Sequence, residues 1–136
     1  MRRARAVAVR ALFVSFAAVA AAWALSSYGA VYVHGGSMSP TLVRGDLVVI
    51  RRSAGSVRQG DVVLVSKPGW PDGVLHRVHE VTLDDRLVLQ GDANPVPDLE
   101  PAQPADVRGV VAFVIPTGRM LAVVEAVARM VQSRVT

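Results

Sequence analysis

Residues 61–81 read Asp-Val-Val-Leu-Val-Ser-Lys-Pro-Gly-Trp-Pro-Asp-Gly-Val-Leu-His-Arg-Val-His-Glu-Val, and they set the architecture of the chain. Two runs rich in Val and Leu, 61–66 and 74–81, flank the turn signals Pro68-Gly69 and Pro71-Asp72-Gly73. β-Branched side chains suit a pleated, half-buried surface, while Pro, Gly and Asp mark reversals of direction. The same texture extends both ways, with strands predicted near 46–51 (DLVVIR), 86–90 (RLVLQ) and 107–115 (VRGVVAFVI). Ala54-Gly55-Ser56, Asp84-Asp85 and the Pro-rich 95–104 separate them. Short strands at this spacing predict a mainly β domain over residues 34–117, a small antiparallel β barrel or coiled sheet. A segment of about 80 residues holds only a modest core.

Upstream lies an uncharged run, ALFVSFAAVAAAWALSSYGAVYV, at residues 11–33. Twenty-three such residues exceed the roughly 20 needed to cross a bilayer core. Arg2, Arg3, Arg5 and Arg10 precede the run, and Tyr28 and Tyr32 stand near its far end, where aromatic rings favour the interface. The expectation is a transmembrane helix over 11–33, a cytoplasmic basic tail over 1–10, and an extracytoplasmic body anchored by a single pass in the cell membrane. A cleavable secretory signal is the alternative, with short residues near Ala24–Ser27; the length of the apolar run favours a retained anchor. Downstream, 118–134 reads as an amphipathic helix: Gly118, Ala122, Glu125, Arg129 and Gln132 share one stripe, and apolar residues cover the rest. This C-terminal segment, 118–136, either closes the domain core or associates with the membrane.

Composition agrees with an anchored chain. Hydrophobic residues make up 51% of the 136, and mean hydropathy is +0.37. That is high for a soluble protein of this size, so something apolar is to be accounted for outside an ordinary core. With no cysteine, disulfides and thiolate metal sites are excluded, and no cofactor or metal is implied. The net charge of +4 sits in the first ten residues, where four of the fifteen basic groups lie; the rest balances 11 against 11. A basic excess confined to one tail argues against nucleic acid as a partner.

Chemistry is concentrated in few residues. Gly35-Gly36-Ser37-Met38-Ser39-Pro40 follows the apolar run. Glycines allow unusual backbone and close approach of another chain, and Pro40 fixes the exit. Serine needs an adjacent base to act as nucleophile at neutral pH. The candidates are Lys67, in what reads as an exposed turn, and His34, His76 and His79. His76 and His79 are three apart in one strand and so face opposite sides. A base histidine needs an acceptor for its second nitrogen. Asp92 and Asp98, in the irregular loop 91–98, both offer one, although Asp92 beside Gly91 also fits a turn cap.

In this order, behind an N-terminal apolar run, these pieces resemble the signal peptidase I family (peptidase family S26). Gly36-Ser37-Met38-Ser39-Pro40 looks like its Ser-Met-x-Pro box. Val43-Arg44-Gly45-Asp46-Leu47-Val48-Val49 and Gly60-Asp61-Val62-Val63 look like its two Gly-Asp strands. His76-Arg77-Val78 is similar to the box of the general base, Gly91-Asp92-Ala93-Asn94 to the Gly-Asp-Asn-Asn box, and Gly109-Val110-Val111 to its last strand. Histidine in place of lysine at position 76 resembles the branch of the archaeal and endoplasmic-reticulum signal peptidases. The likeness covers residues 10–120.

The resemblance implies a membrane-bound serine endopeptidase that removes signal peptides from exported preproteins through an acyl-enzyme. It implies Ser37 as nucleophile, His76 as base and Asp98 as the acid, with Asp92 the second choice. Gly36, Ser37 and Met38 would line the oxyanion and substrate site. The implied partners are preprotein signal sequences, the lipid bilayer and the export machinery; the implied preference is for small side chains before the cut. One departure stands out. The family often has serine two residues before the nucleophile, supplying a hydroxyl to the oxyanion, and here Gly35 occupies that place. Two other readings remain: a protease dedicated to one exported substrate, and an inactive membrane-tethered β module that binds a partner.

Overall fold

A computed structural model describes residues 2–52 and 56–132. The expected turn at Ala54-Gly55 and the last residues of the expected terminal helix, 133–136, lie outside the described residues. A long helix, α1 (Arg2–Ser27), opens the chain. Its Ala-rich sequence, with no Gly or Pro, favours helix. Within it, Val9–Ser27 is long and apolar enough to cross a membrane and is not covered by the rest of the protein.

The expected 23-residue span is divided. Tyr28–Tyr32 forms strand β1 instead of the end of the helix. It pairs antiparallel with β2 (Leu47–Arg51), Tyr28 opposite Arg51 and Tyr32 opposite Leu47. Aromatic and β-branched residues around Gly29 suit a strand better than a helix. Hydropathy alone does not separate the two, because both environments are apolar.

Four further strands complete the sheet: β3 (Val62–Lys67), β4 (Trp70–Val81), β5 (Leu87–Gln90) and β6 (Val107–Ile115). Their spatial order is β1-β2-β6-β3-β4-β5, antiparallel throughout. Pro68-Gly69 is the turn of the β3–β4 hairpin, with Lys67 opposite Trp70. β4 therefore begins four residues before the predicted strand and includes Pro71. That is tolerated because β5 pairs only with the later part of β4, from Arg77 onward, leaving Pro71 without a neighbour on one side. The register shifts in four of the five pairings, and such bulges bend and coil a sheet.

Buried side chains form two groups. Val63, Val65, Val78, Leu87, Leu89, Ala102 and Val110 make one. Val33, Met38, Leu42, Val48 and Ile50 make the other, with Val62 and Leu64 packed against it. Alternate residues of β3 thus serve opposite cores, as the period of two requires. The second helix, α2 (Thr117–Gln132), follows β6. Met120, Leu121, Val123 and Val124 on it are exposed.

Candidate active site

Three segments converge on one site. The connection 33–46 between β1 and β2 carries Ser37, β4 carries His76, and the loop after β5 carries Asp92 and Asp98. His76 stands opposite Val63 in the β3–β4 ladder and is 95% buried, with relative exposure of 5%. Its ring meets Trp70 edge to face, with centroids 5.9 Å apart. A ring packed in this way has little rotational freedom. His76 Nε2 lies 3.2 Å from Ser37 Oγ, and Nδ1 lies 2.6 Å from Asp98 Oδ2. The Asp98 N–H donates to the Leu89 carbonyl at 2.8 Å, so the acid is fixed to the edge of β5.

Asp92 has a different partner. Arg77 Nε donates to its Oδ1 at 2.8 Å and Arg77 Nη2 to its Oδ2 at 2.7 Å. This two-pronged geometry is the strong form of a charge-assisted pair. The Arg77 hydrogen bond holds the Asp92 carboxyl below the usual carboxylate range, against the opposing effect of burial and with a further contribution from Thr41. The same bond raises the Arg77 guanidinium. Arg77 also donates to the Gly60 carbonyl at 2.9 Å, so it ties β4, the loop before β3 and the 91–98 loop together.

The other candidate bases have other neighbours, although His34 also lines the cleft beside Ser37. Lys67 ends β3, and its side chain is only 12% exposed, not out in a turn as the sequence suggested. Its Nζ sits 4.4 Å from the Trp70 ring centroid and donates to the Glu100 carbonyl at 3.1 Å. His79 is exposed and borders a polar cavity of about 400 Å³ with Thr41, Gln90 and Asp92. His34 makes an edge-to-face contact with Tyr32, centroids 5.1 Å apart.

Beside Ser37 runs a cleft of about 560 Å³ whose walls include Val31, Val33, Met38, Leu64 and Leu75. Gly35 and Gly36 are exposed, with open space around their Cα atoms. On the other side, the Ala93 N–H donates to the Ser37 carbonyl at 2.7 Å. Trp70 and the Arg77–Asp92 fork escaped the sequence reading. Trp70 sits in a Pro-Gly-Trp-Pro turn that looks purely structural, and nothing near Arg77 in the sequence points to Asp92 as its partner.

A hydroxyl, an imidazole and a carboxylate in series beside an apolar cleft compose a hydrolase-like arrangement, and comparison with known proteins agrees with that class. The profile of the Peptidase S24-like family matches residues 8–112, and the chain belongs to that family. It is 42% identical over 77 residues to the signal peptidase complex catalytic subunit SEC11 of Komagataella phaffii (strain GS115), an alignment covering 51% of this chain and 45% of that protein. The chain thus spans less than half the length of that curated relative. Together the two matches place the chain among signal-peptidase-I-like peptidases.

Proposed function

We propose that this protein is a membrane-anchored serine endopeptidase that removes signal peptides from exported preproteins. The observation that carries the reading is the series Ser37 Oγ, His76 Nε2, His76 Nδ1 and Asp98 Oδ2, linked at 3.2 and 2.6 Å. In the proposed reaction Nδ1–H donates to Asp98, which leaves Nε2 free to accept the Ser37 proton. The Ser37 oxygen attacks the scissile carbonyl carbon and a tetrahedral oxyanion forms. The imidazolium then protonates the departing amine, the C–N bond breaks, and an ester remains on Ser37. Water, deprotonated by the same imidazole, attacks that ester; the ester C–O bond to Ser37 then breaks, the imidazolium returns its proton to Ser37 Oγ, and the new carboxyl terminus is freed. With Gly35 in the position where a hydroxyl would stand, the oxyanion relies on backbone N–H groups, Ser37's own first among them. Asp92 serves as the partner of Arg77 and stays outside the proton path.

Membrane residence is supported by Val9–Ser27. The arginines before it favour a cytoplasmic N-terminus, with the sheet on the outer face. The apolar cleft beside Ser37 suits the extended, small-residue end of a signal sequence. Reconstituted into vesicles, the wild type is expected to cleave a preprotein and Ser37→Ala to leave it intact. Ser37→Ala vesicles that process the preprotein at the wild-type rate would refute the proposal.

A further inference from the structure

Ser37 belongs to a connection whose base is pinned. The Gly45 N–H donates to the Val33 carbonyl at 2.8 Å, and the Val33 N–H to the Asp46 carbonyl at 2.9 Å. Above that base the chain makes a single tight turn: Ser39 N–H donates to the Gly36 carbonyl at 3.0 Å and Leu42 N–H to the Met38 carbonyl at 2.9 Å. Met38 and Leu42 are buried in the core beneath. A helical turn leaves its final carbonyls without partners of its own. Here those of Pro40 and Thr41 are met from α2, where Arg119 Nη2 donates to the Thr41 carbonyl at 3.0 Å and also to that of Pro40. A cation at the carbonyl end of a turn is favourable electrostatically as well.

The same helix end is fastened to the loop at three more places. The Thr117 hydroxyl donates to the Gly45 carbonyl at 2.6 Å. Asp46, fully buried, accepts the Gly118 N–H at 3.1 Å and the Val43 N–H at 3.1 Å. Gly118 packs so closely that a Cβ there would stand 2.3 Å from the Arg44 carbonyl oxygen. A buried carboxylate is costly unless hydrogen-bonded, so Asp46 makes the register between loop and helix specific. Arg119 is the one member of this contact that reaches past the base to the turn following Ser37.

We propose that Arg119 is a positioning residue: by holding the Pro40 and Thr41 carbonyls it fixes the turn that presents Ser37, and so sets the reactivity of that hydroxyl. α2 is then part of the active centre without touching the substrate. The kinetic half of this inference rests on the peptidase reading; the mechanical half does not.

The test compares wild type, Arg119→Ala and Arg119→Lys in the full chain by two readouts. Amide hydrogen exchange over residues 36–46 is expected to quicken about tenfold or more in Arg119→Ala, with strand amides unchanged. It should be partly restored in Arg119→Lys, whose ammonium keeps the charge but not the planar fork. Labelling of Ser37 by a fluorophosphonate is expected to slow by about 10- to 100-fold, the scale of a small misplacement of a reacting group. Its pH profile should keep the wild-type midpoint, because His76 and Asp98 are untouched. Unchanged exchange over 36–46, or labelling at the wild-type rate from a loosened loop, would overturn the proposal. Faster exchange across every strand would also overturn it, assigning Arg119 to general stability. A wild-type protein whose Ser37 takes no label defeats the peptidase reading and the reactivity half, while exchange still decides whether Arg119 holds the turn.

Discussion

Gly91 shows how one added atom would distort the candidate site. A Cβ at this position would lie 2.6 Å from the Ser37 carbonyl oxygen and 3.0 Å from the Ser37 Cβ. Neither contact can relax without moving backbone. Gly91→Ala is therefore expected to push the two loops apart and break the Ala93–Ser37 hydrogen bond. Overpacking of this kind costs about 1–3 kcal/mol. A lowered melting temperature together with slower fluorophosphonate labelling checks it; an alanine variant matching wild type in both would refute the close contact. This constraint is hidden in the sequence. Gly91-Asp92 reads locally as a turn cap, and nothing in the local pattern tells that its neighbour in space is Ser37. The choice between the two carboxylates is similar. As residues of a Pro-rich loop Asp92 and Asp98 look alike, and it is the family resemblance that puts Asp98 first; in the folded chain Asp92 faces Arg77 and Asp98 faces His76.

Among the elements, β4 and the loop after β5 are joined by the Arg77–Asp92 fork, and this joint has a pH signature. The Asp92 carboxyl is held below its ordinary value in the folded protein, so the unfolded chain binds more protons in the acid range. The stabilisation is complete above the unfolded carboxylate value, about 3.9, and is lost as pH falls through the lower folded value. Asp92→Asn is expected to be less stable at neutral pH and to show a flatter loss of stability on acidification. Urea midpoints measured between about pH 6 and pH 2 check this; parallel curves for the two proteins would refute it. At this scale the sequence was most informative. The predicted strands at 46–51, 61–66, 86–90 and 107–115 each begin or end within a residue of an observed one. The errors have one cause. Tyr28–Tyr32 continues an apolar run, and Trp70–Gly73 is rich in turn residues, so local composition names the wrong state where pairing with another strand decides.

The whole molecule is built on a shared strand. Val63 and Val65 of β3 face one core, while Val62 and Leu64 pack on the other. Leu42 is central to one and Leu89 to the other, both fully buried. Leu42→Ala and Leu89→Ala are each expected to cost about 2–5 kcal/mol and to leave a single unfolding transition, since neither core can open without disturbing β3. Calorimetry in detergent checks it; two resolved transitions in either variant would show the cores to be independent. The arrangement bears on the paired groups. Ser37 is carried by a turn rooted in one core through Met38 and Leu42, whereas His76 lies on the face of the other, opposite Val63. The two halves of the proposed catalytic apparatus are thus lodged in separate hydrophobic compartments and meet only when both are intact. On the proposed reading, a heat-damaged or misassembled copy in which either compartment is disturbed loses the Ser37–His76 contact and falls silent.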